Sequence, residues 1–393
     1  MRRRLRDRKI LHGITGSVAA YKAIDLIRRL KDEGASVAVV MTDASRRFIT
    51  PLLVEAASGC PPGTDMFGEP MAHISLPRQA DLLLVAPASA HTLAKLASGW
   101  AGDLLSASYL SFTGKVVVAP AMNWRMYENP AVRRNLAVLA ERGVLEVPPE
   151  EGALACAEEG KGRMAGIPAI LEAVKTALSK KDLAGKRVVV TAGPTREHID
   201  PVRFISNRSS GKMGYAVAAA ARRRGADVTL VSGPSVLAPP PAVALVRVES
   251  ASQMREAVLE ETVDADVLVM AAAVADFVPT VTSGTKLPKE TLRRIELAPA
   301  PDILAEVGAM GRRPFVVGFA AETGPGLGRA SEKLQKKNVD MVVFNDVSQP
   351  GSGFDSDTNK VTIVQGGARR EYPLMSKEEV AEAILDGVCG ARG

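Results

Sequence analysis

Lys186-Arg187-Val188-Val189-Val190-Thr191-Ala192-Gly193-Pro194-Thr195 is the stretch on which the reading of this 393-residue chain turns. Arg187–Thr191 is a continuous β-branched run closed by a Gly-Pro turn, the pattern of a strand buried on both faces. Just before it lies Ser179-Lys180-Lys181-Asp182-Leu183-Ala184-Gly185, a polar linker. A strand that starts afresh after a linker marks a second domain, and the chain is too long for one ordinary core. The expected division is 1–181 and 182–393.

Upstream, Lys9–Leu11, Ser36–Met41, Asp81–Ala86 and Lys115–Ala119 read as strands. They alternate with helical spacing over Val18–Leu30, Ala131–Arg142 and Pro168–Leu178, and Thr42-Asp43-Ala44-Ser45 reads as a helix opening. Downstream, strands are expected at Asp227–Val231, Asp266–Ala271, Phe315–Phe319 and Asp340–Phe344. Helices are expected at Tyr215–Arg224 and Lys377–Leu385, with nothing else legible after about Gln365. Strands alternating with helices predict an α/β chain of two doubly wound, Rossmann-like domains with mainly parallel sheets.

The apolar and charged fractions, 46% and 24%, are those of a globular protein rather than a disordered or membrane-spanning one. The basic start, Arg2-Arg3-Arg4-Leu5-Arg6, precedes a stretch interrupted by His12, Tyr21, Lys22 and Asp25. It therefore reads as an arm before the first strand, not a signal peptide, and a cytoplasmic location is expected. Cys60, Cys156 and Cys389 are widely spaced, which excludes a disulfide framework or cysteine zinc site. A net charge of +6 fits either a solvated surface or phosphorylated small molecules, and no basic motif with aromatics speaks for nucleic acid.

Gly13-Ile14-Thr15-Gly16-Ser17 joins a strand to a helix. Such a turn can cradle a phosphate or simply allow close packing, and the residues alone leave both readings open. It lacks the third glycine of a dinucleotide fingerprint, so a mononucleotide is the better fit. Ala88-Ser89-Ala90-His91 and Ala121-Met122-Asn123-Trp124-Arg125-Met126 also follow strands at the ends where α/β ligands bind. With Met71-Ala72-His73-Ile74-Ser75-Leu76 and Gly152-Ala153-Leu154-Ala155-Cys156, these segments resemble flavoprotein decarboxylases that act on a cysteine carboxylate.

That resemblance implies FMN, with Gly16, Ser17, Thr42 and Ser89 as cofactor-binding residues and Met126 at the substrate. It implies that His73 and Asn123 are active-site residues and that Cys156, on a flap, supplies a proton. The chemistry needs such groups. A cysteine carboxylate has no electron sink until its thiol is oxidised to a thioaldehyde. His73 suits thiol deprotonation, Asn123 holds the carboxylate, and Cys156 protonates the enethiolate. Gly152, Gly160 and Gly162 suggest that the Cys156 stretch is mobile. His91 and Ala157 stand where the family usually has Asn and Gly.

In the second half, Ser209-Ser210-Gly211-Lys212 looks like a phosphate loop. It is not a Walker motif, since Ser206 and Met213 replace the required Gly and Ser/Thr. Lys286, Lys289, Lys333 and Lys337 follow strand ends, where lysines can be solvated charges or phosphate ligands. Thr191-Ala192-Gly193-Pro194-Thr195-Arg196, Ala273-Val274-Ala275-Asp276-Phe277, Pro301-Asp302-Ile303-Leu304 and Asn345-Asp346-Val347-Ser348 are similar to segments of phosphopantothenate–cysteine ligases.

The resemblance implies nucleotide contacts from Asp276, Lys286, Phe319, Lys333 and Lys337. Met270, Ala271 and Ala272, with Pro301, Asp302, Ile303 and Leu304, would form backbone walls. Asn207 would serve the second half-reaction, in which the amine of cysteine displaces CMP from an acyl-cytidylate. Pro288 departs from a loop that usually carries Lys. Together the halves resemble the bifunctional bacterial enzymes of coenzyme A synthesis. The resemblance implies phosphopantothenate, cysteine and CTP as partners, magnesium held through nucleotide phosphates, and a homo-oligomer, a dodecamer. A non-catalytic regulatory flavoprotein-like subunit and a flavin prenyl transferase are the alternatives. The first has little need of His73, Asn123 and Cys156 together; the second would lack the Cys156 flap and the ligase half.

Overall fold

The computed structural model describes residues 5–153, 159–289, 294–322, 336–346, 348–349, 351–353 and 355–391. The chain divides into two compact units, one running to Ser179 and the other starting at Lys180.

The first unit carries five parallel strands: β1 (Lys9–Ile14), β2 (Ser36–Met41), β3 (Leu82–Ala88), β4 (Lys115–Pro120) and β5 (Leu145–Glu146), ordered β2-β1-β3-β4-β5. Every residue of β3 is buried, so helices must cover both faces of the sheet. Helix α1 (Lys22–Asp32) does so with Ala23, Leu26, Ile27 and Leu30, an i, i+3, i+4, i+7 stripe. Burying each of the three larger side chains contributes about 1.5–3 kcal/mol. The Thr42–Ser45 stretch opens only a short 3-10 turn, Ser45–Arg47. The next α-helix, α2 (Pro51–Ser58), starts later, where Thr50 caps and Pro51 occupies the first turn. Helices α3 (Ala72–Gln79), α4 (Ala90–Ser98), α5 (Leu104–Ser111), α6 (Trp124–Glu128), α7 (Pro130–Glu141) and α8 (Ile167–Leu178) complete the unit. A hairpin of β6 (Glu150–Ala153) and β7 (Glu159–Arg163) stands apart from the sheet.

The second unit has six parallel strands: β8 (Arg187–Ala192), β9 (Asp227–Ser232), β10 (Ala244–Arg247), β11 (Val267–Met270), β12 (Phe315–Glu322) and β13 (Met341–Asp346). An antiparallel pair, β14 (Val361–Gln365) and β15 (Ala368–Glu371), extends it, giving the order β10-β9-β8-β11-β12-β13-β14-β15. This hairpin is absent from the sequence expectation, although Gly366-Gly367, both at positive φ, is its two-residue turn. Helices α9 (Lys212–Arg223), α10 (Ala251–Glu261), α11 (Ile303–Gly308) and α12 (Lys377–Gly390) flank the sheet, α12 reaching beyond the expected Leu385. Among the described residues, no helix is long and apolar enough to cross a membrane.

Candidate active sites

In the first unit the chain leaves β1 towards β2 and then crosses to β3 on the other side. Loops diverge at that switch, and a cleft of about 1140 Å3 opens at the strand ends. Gly16 and Ser17 after β1, Thr42 after β2, Ser89 after β3, and Asn123 and Met126 after β4 all line it. Thr15, given no role of its own in the sequence, locks the switch. Its buried hydroxyl donates to Pro87 O at 2.8 Å and accepts from Ser89 N at 2.9 Å.

A Cβ on Gly16 would lie 2.5 Å from Ala44 Cβ, so only glycine lets these two loops meet at the cleft. The Ser17 hydroxyl donates to Ala121 O at 3.2 Å and accepts from Ala19 N. It is thus already engaged, rather than presented to a ligand as the sequence suggested. Asn123 caps α6 through Oδ1, which accepts from Arg125 N at 2.9 Å; the donor end that a carboxylate would need is Nδ2.

Cys156 lies outside the described residues, but the strands that frame it are informative. A Cβ on Gly160 would come 2.6 Å from Trp124 Cγ. One on Gly162 would overlap Met122 O and sit 2.9 Å from Trp124 N. Met122 N also donates to Gly162 O at 3.1 Å. These two glycines therefore dock β7 against the Asn123 turn, a role the sequence reading had assigned to mobility.

His73 is not on the wall of this cleft. Its carbonyl accepts from Ser111 Oγ at 2.6 Å, at the foot of α5, whereas Asp103 at the head of α5 does line the cleft. Those ends are about 10 Å apart along the helix. Charged groups missed by the sequence reading include Lys95, which pairs with Asp103 at 2.8 Å. Burial opposes ionisation of Asp103, but Lys95 and Ser106 outweigh it and hold the carboxyl below its usual range. Lys22 also lines the cleft; burial, then nearby Arg163, lowers its pKa against the pull of Glu150.

The second unit repeats the logic. From β8 the chain runs to β9 on one side and later to β11 on the other. A cleft of about 520 Å3 lies at those strand ends. It gathers Asn207, Met270, Ala271, Ala272, Asp276, Pro301, Asp302, Ile303, Leu304, Phe319 and Lys337. Buried Thr191 and Thr195 lace it together, accepting from Ala272 N and Ala275 N, each at 3.0 Å. Lys337 pairs at 2.9 Å with Asp302, whose other oxygen caps α11.

Three expectations fare differently. Lys286 is exposed and off the cleft wall; its neighbour Leu287 is anchored instead, through Asp200 and Arg203. Lys333 lies outside the described residues. Asn207 Nδ2 donates to Ala273 O at 3.0 Å and Val274 O at 3.3 Å, so in this arrangement its N–H groups tie down the loop over the cleft. The resemblance had implied a role for Asn207 in the second half-reaction, not this loop contact. Among the described residues, no group of three His, Cys, Asp or Glu side chains stands ready for a metal.

Comparison with known proteins bears on both clefts. Residues 1–179 match the family described as Flavoprotein, and residues 183–391 match the DNA/pantothenate metabolism flavoprotein C-terminal domain. The chain is 45% identical over 390 residues to the coenzyme A biosynthesis bifunctional protein CoaBC of Vibrio cholerae, covering 97% of this chain and 98% of that one. It is 44% identical over 394 residues to the CoaBC protein of Bacillus subtilis, covering 98% and 97%. A crystal structure of the C-terminal domain of a CoaBC protein is 44% identical, with a TM-score of 0.47 over 54% of this chain and 98% of that one. The chain therefore belongs to the bifunctional enzymes of coenzyme A biosynthesis, which join phosphopantothenate to cysteine and decarboxylate the product.

Proposed function

We propose that the second cleft activates phosphopantothenate with CTP and magnesium, and that the first cleft carries FMN. The observation that carries the ligase reading is the convergence of Asn207, the 270–276 loop, Pro301–Leu304, Phe319 and Lys337 on one switch-point cleft. A carboxylate acylates poorly until its oxygen becomes a leaving group. Lys337 beside the cleft, with Ser209–Lys212 at its rim, offsets the phosphate charge that develops during activation. Magnesium would be held through the nucleotide phosphates, with Asp276 on the cleft wall as a nucleotide contact. Asn207 exchanges its loop carbonyls for the acyl-phosphate as the amine attacks.

The first cleft fits a mononucleotide flavin: the Gly16–Ala44 approach leaves room beside Ser17 and Ser89 at the strand ends. Bound there, FMN would supply the two-electron oxidation that turns the substrate's sulfur-bearing carbon into the C=S electron sink needed by the neighbouring carboxylate-bearing carbon. Asn123 Nδ2 orients the carboxylate, His73 receives the thiol proton, and Cys156 delivers the final proton. Since His73 is off its own chain's cleft, the reading requires a homo-oligomer that brings α3 to a neighbouring cleft. Phe67 and Met71, 86% and 62% exposed beside α3, supply apolar surface for it.

The test is product analysis by mass spectrometry of the flavin-loaded protein given phosphopantothenate, cysteine, magnesium, and CTP or ATP. Phosphopantetheine with CMP is the expected outcome. Turnover with ATP alone would remove CTP from the reading. Conjugate that accumulates undecarboxylated would remove the proposed roles in the first cleft.

A further inference from the structure

The chain leaves the ligase cleft after Asp276 and comes back to it at Ala300, whose N–H donates to Asp276 O at 2.9 Å. Phe277–Pro279, paired antiparallel with Leu297–Pro299, is the stem of this excursion, and Lys286 rides on it. Lys286 is exposed and off the cleft wall. Where its ammonium can go is therefore set by whatever holds the backbone beside it.

That hold is Asp200, only 1% exposed. Its Oδ1 accepts from Val202 N at 2.9 Å and from Arg203 N at 2.8 Å, closing its own turn. Its Oδ2 accepts from Arg203 Nε at 2.9 Å and, across to the excursion, from Leu287 N at 3.2 Å. Arg203 Nη2 completes the clasp by donating to Leu287 O at 2.5 Å. Ser283 N donates to Ile199 O and Thr282 Oγ1 to His198 O, each at 3.0 Å, which fastens the same loop just before Lys286. Burial opposes ionisation of Asp200, but its donors outweigh it and hold the carboxyl well below the usual range. The clasp is also referred to the cleft itself. Its turn leads through Phe204–Ser206 to Asn207, and Ser206 Oγ donates to Thr195 O at 2.7 Å.

We propose that Asp200 is a positioning residue of the ligase reaction: with Arg203 it fixes the backbone at Leu287, and so confines Lys286 to the swing of its own side chain when it meets the nucleotide's phosphates. The turn needs only Oδ1; the contacts of Oδ2 and Arg203 serve the loop. Ordering this backbone before the nucleotide arrives spares the binding step the entropy of immobilising it. The inference rests on the second cleft being the ligase site and on Lys286 contacting the nucleotide, but not on which base that nucleotide carries.

The test is a double-mutant cycle on the full chain, following pyrophosphate release from CTP, or from ATP, with phosphopantothenate. In Asp200→Asn the Oδ1 contacts within the turn survive, while Nδ2 faces the N–H groups of Arg203 and Leu287 and can accept from neither. The kcat/KM for the nucleotide is expected to fall about 10- to 100-fold. In a chain already carrying Lys286→Met the same change should cost less than about twofold. An unaltered rate in Asp200→Asn, or losses that simply multiply, overturns the proposal. Amides of residues 282–289 should exchange hydrogen faster in Asp200→Asn while β8 and β11 keep their protection. Protection lost throughout the unit moves the cycle to Arg203→Lys, which keeps a cation beside Asp200 but gives up the fork to Leu287 O; additivity there overturns the proposal. Lys286→Met with wild-type activation would sink the nucleotide role of Lys286 and the proposal with it, whereas additivity beside an impaired Lys286→Met sinks the clasp alone.

Discussion

The two clefts occupy the same place in the same kind of sheet, yet one chain completes them to different degrees. Both lie at the C-terminal strand ends where the strand order reverses, between β1 and β3 and between β8 and β11. The ligase cleft draws nearly every expected residue from its own unit, fixed by Thr191 and Thr195. The flavin cleft holds Gly16, Ser17, Thr42, Ser89, Asn123 and Met126 but leaves His73 on α3. A switch point guarantees a crevice. It does not guarantee that every catalytic group reaches the crevice in the chain that carries it.

Three substitutions separate the clefts. Asn207→Asp has the largest expected effect. It replaces a donor with a carboxylate facing Ala273 O and Val274 O, so the loop over the ligase cleft loses its tie and gains repulsion. Conjugate formation should fall about 100- to 1000-fold, while decarboxylation of supplied conjugate is unchanged. Parallel assays of the two half-pathways read this directly, and a fall in both would break the independence of the clefts.

Gly162→Ala comes next and acts on the other cleft. Its methyl would overlap Met122 O and push β7 off the Asn123 turn. Overpacking of this kind costs about 1–3 kcal/mol, so decarboxylation should fall about 10- to 100-fold with ligation intact. Unaltered carbon dioxide release would return Gly162 to the role of a flexible loop glycine.

Asp103→Asn is the mildest. The amide can still cap α5 but loses the ion pair with Lys95. Because the folded-state pKa of Asp103 is depressed, its contribution is present above the unfolded value, near 3.9, and is lost as pH falls through the folded value. The gap in melting temperature between wild type and variant, a few degrees at neutral pH, should therefore close in acid. A gap that persists once the pH is below the folded value would mean that shape, not charge, sets the difference.

The strand–helix alternation was legible because buried parallel strands are written as apolar runs, and β3 and β8 show it plainly. The β14–β15 hairpin escaped because half of it, Ala368–Glu371, is wholly exposed and carries Arg369, Arg370 and Glu371. Only Gly366-Gly367 betrayed it. Thr42–Ser45 was read as a helix start from its cap chemistry, yet the chain turned again before Thr50, where Pro51 could begin a helix.

The sequence by itself determined two α/β units, the loops that follow their strands, and a family whose chemistry needs those loops. Local pattern suffices there, because burial on two faces and turn chemistry act over a few residues. Only the tertiary structure decided that Gly160 and Gly162 dock β7, that Asn207 clasps the 273–274 carbonyls, and that Lys377 reaches the cleft holding Lys212. Those pairings join residues distant along the chain, such as Asn207 and Ala273 or Lys212 and Lys377. Only packing the helices onto the sheet brings such partners within hydrogen-bonding or Coulomb range.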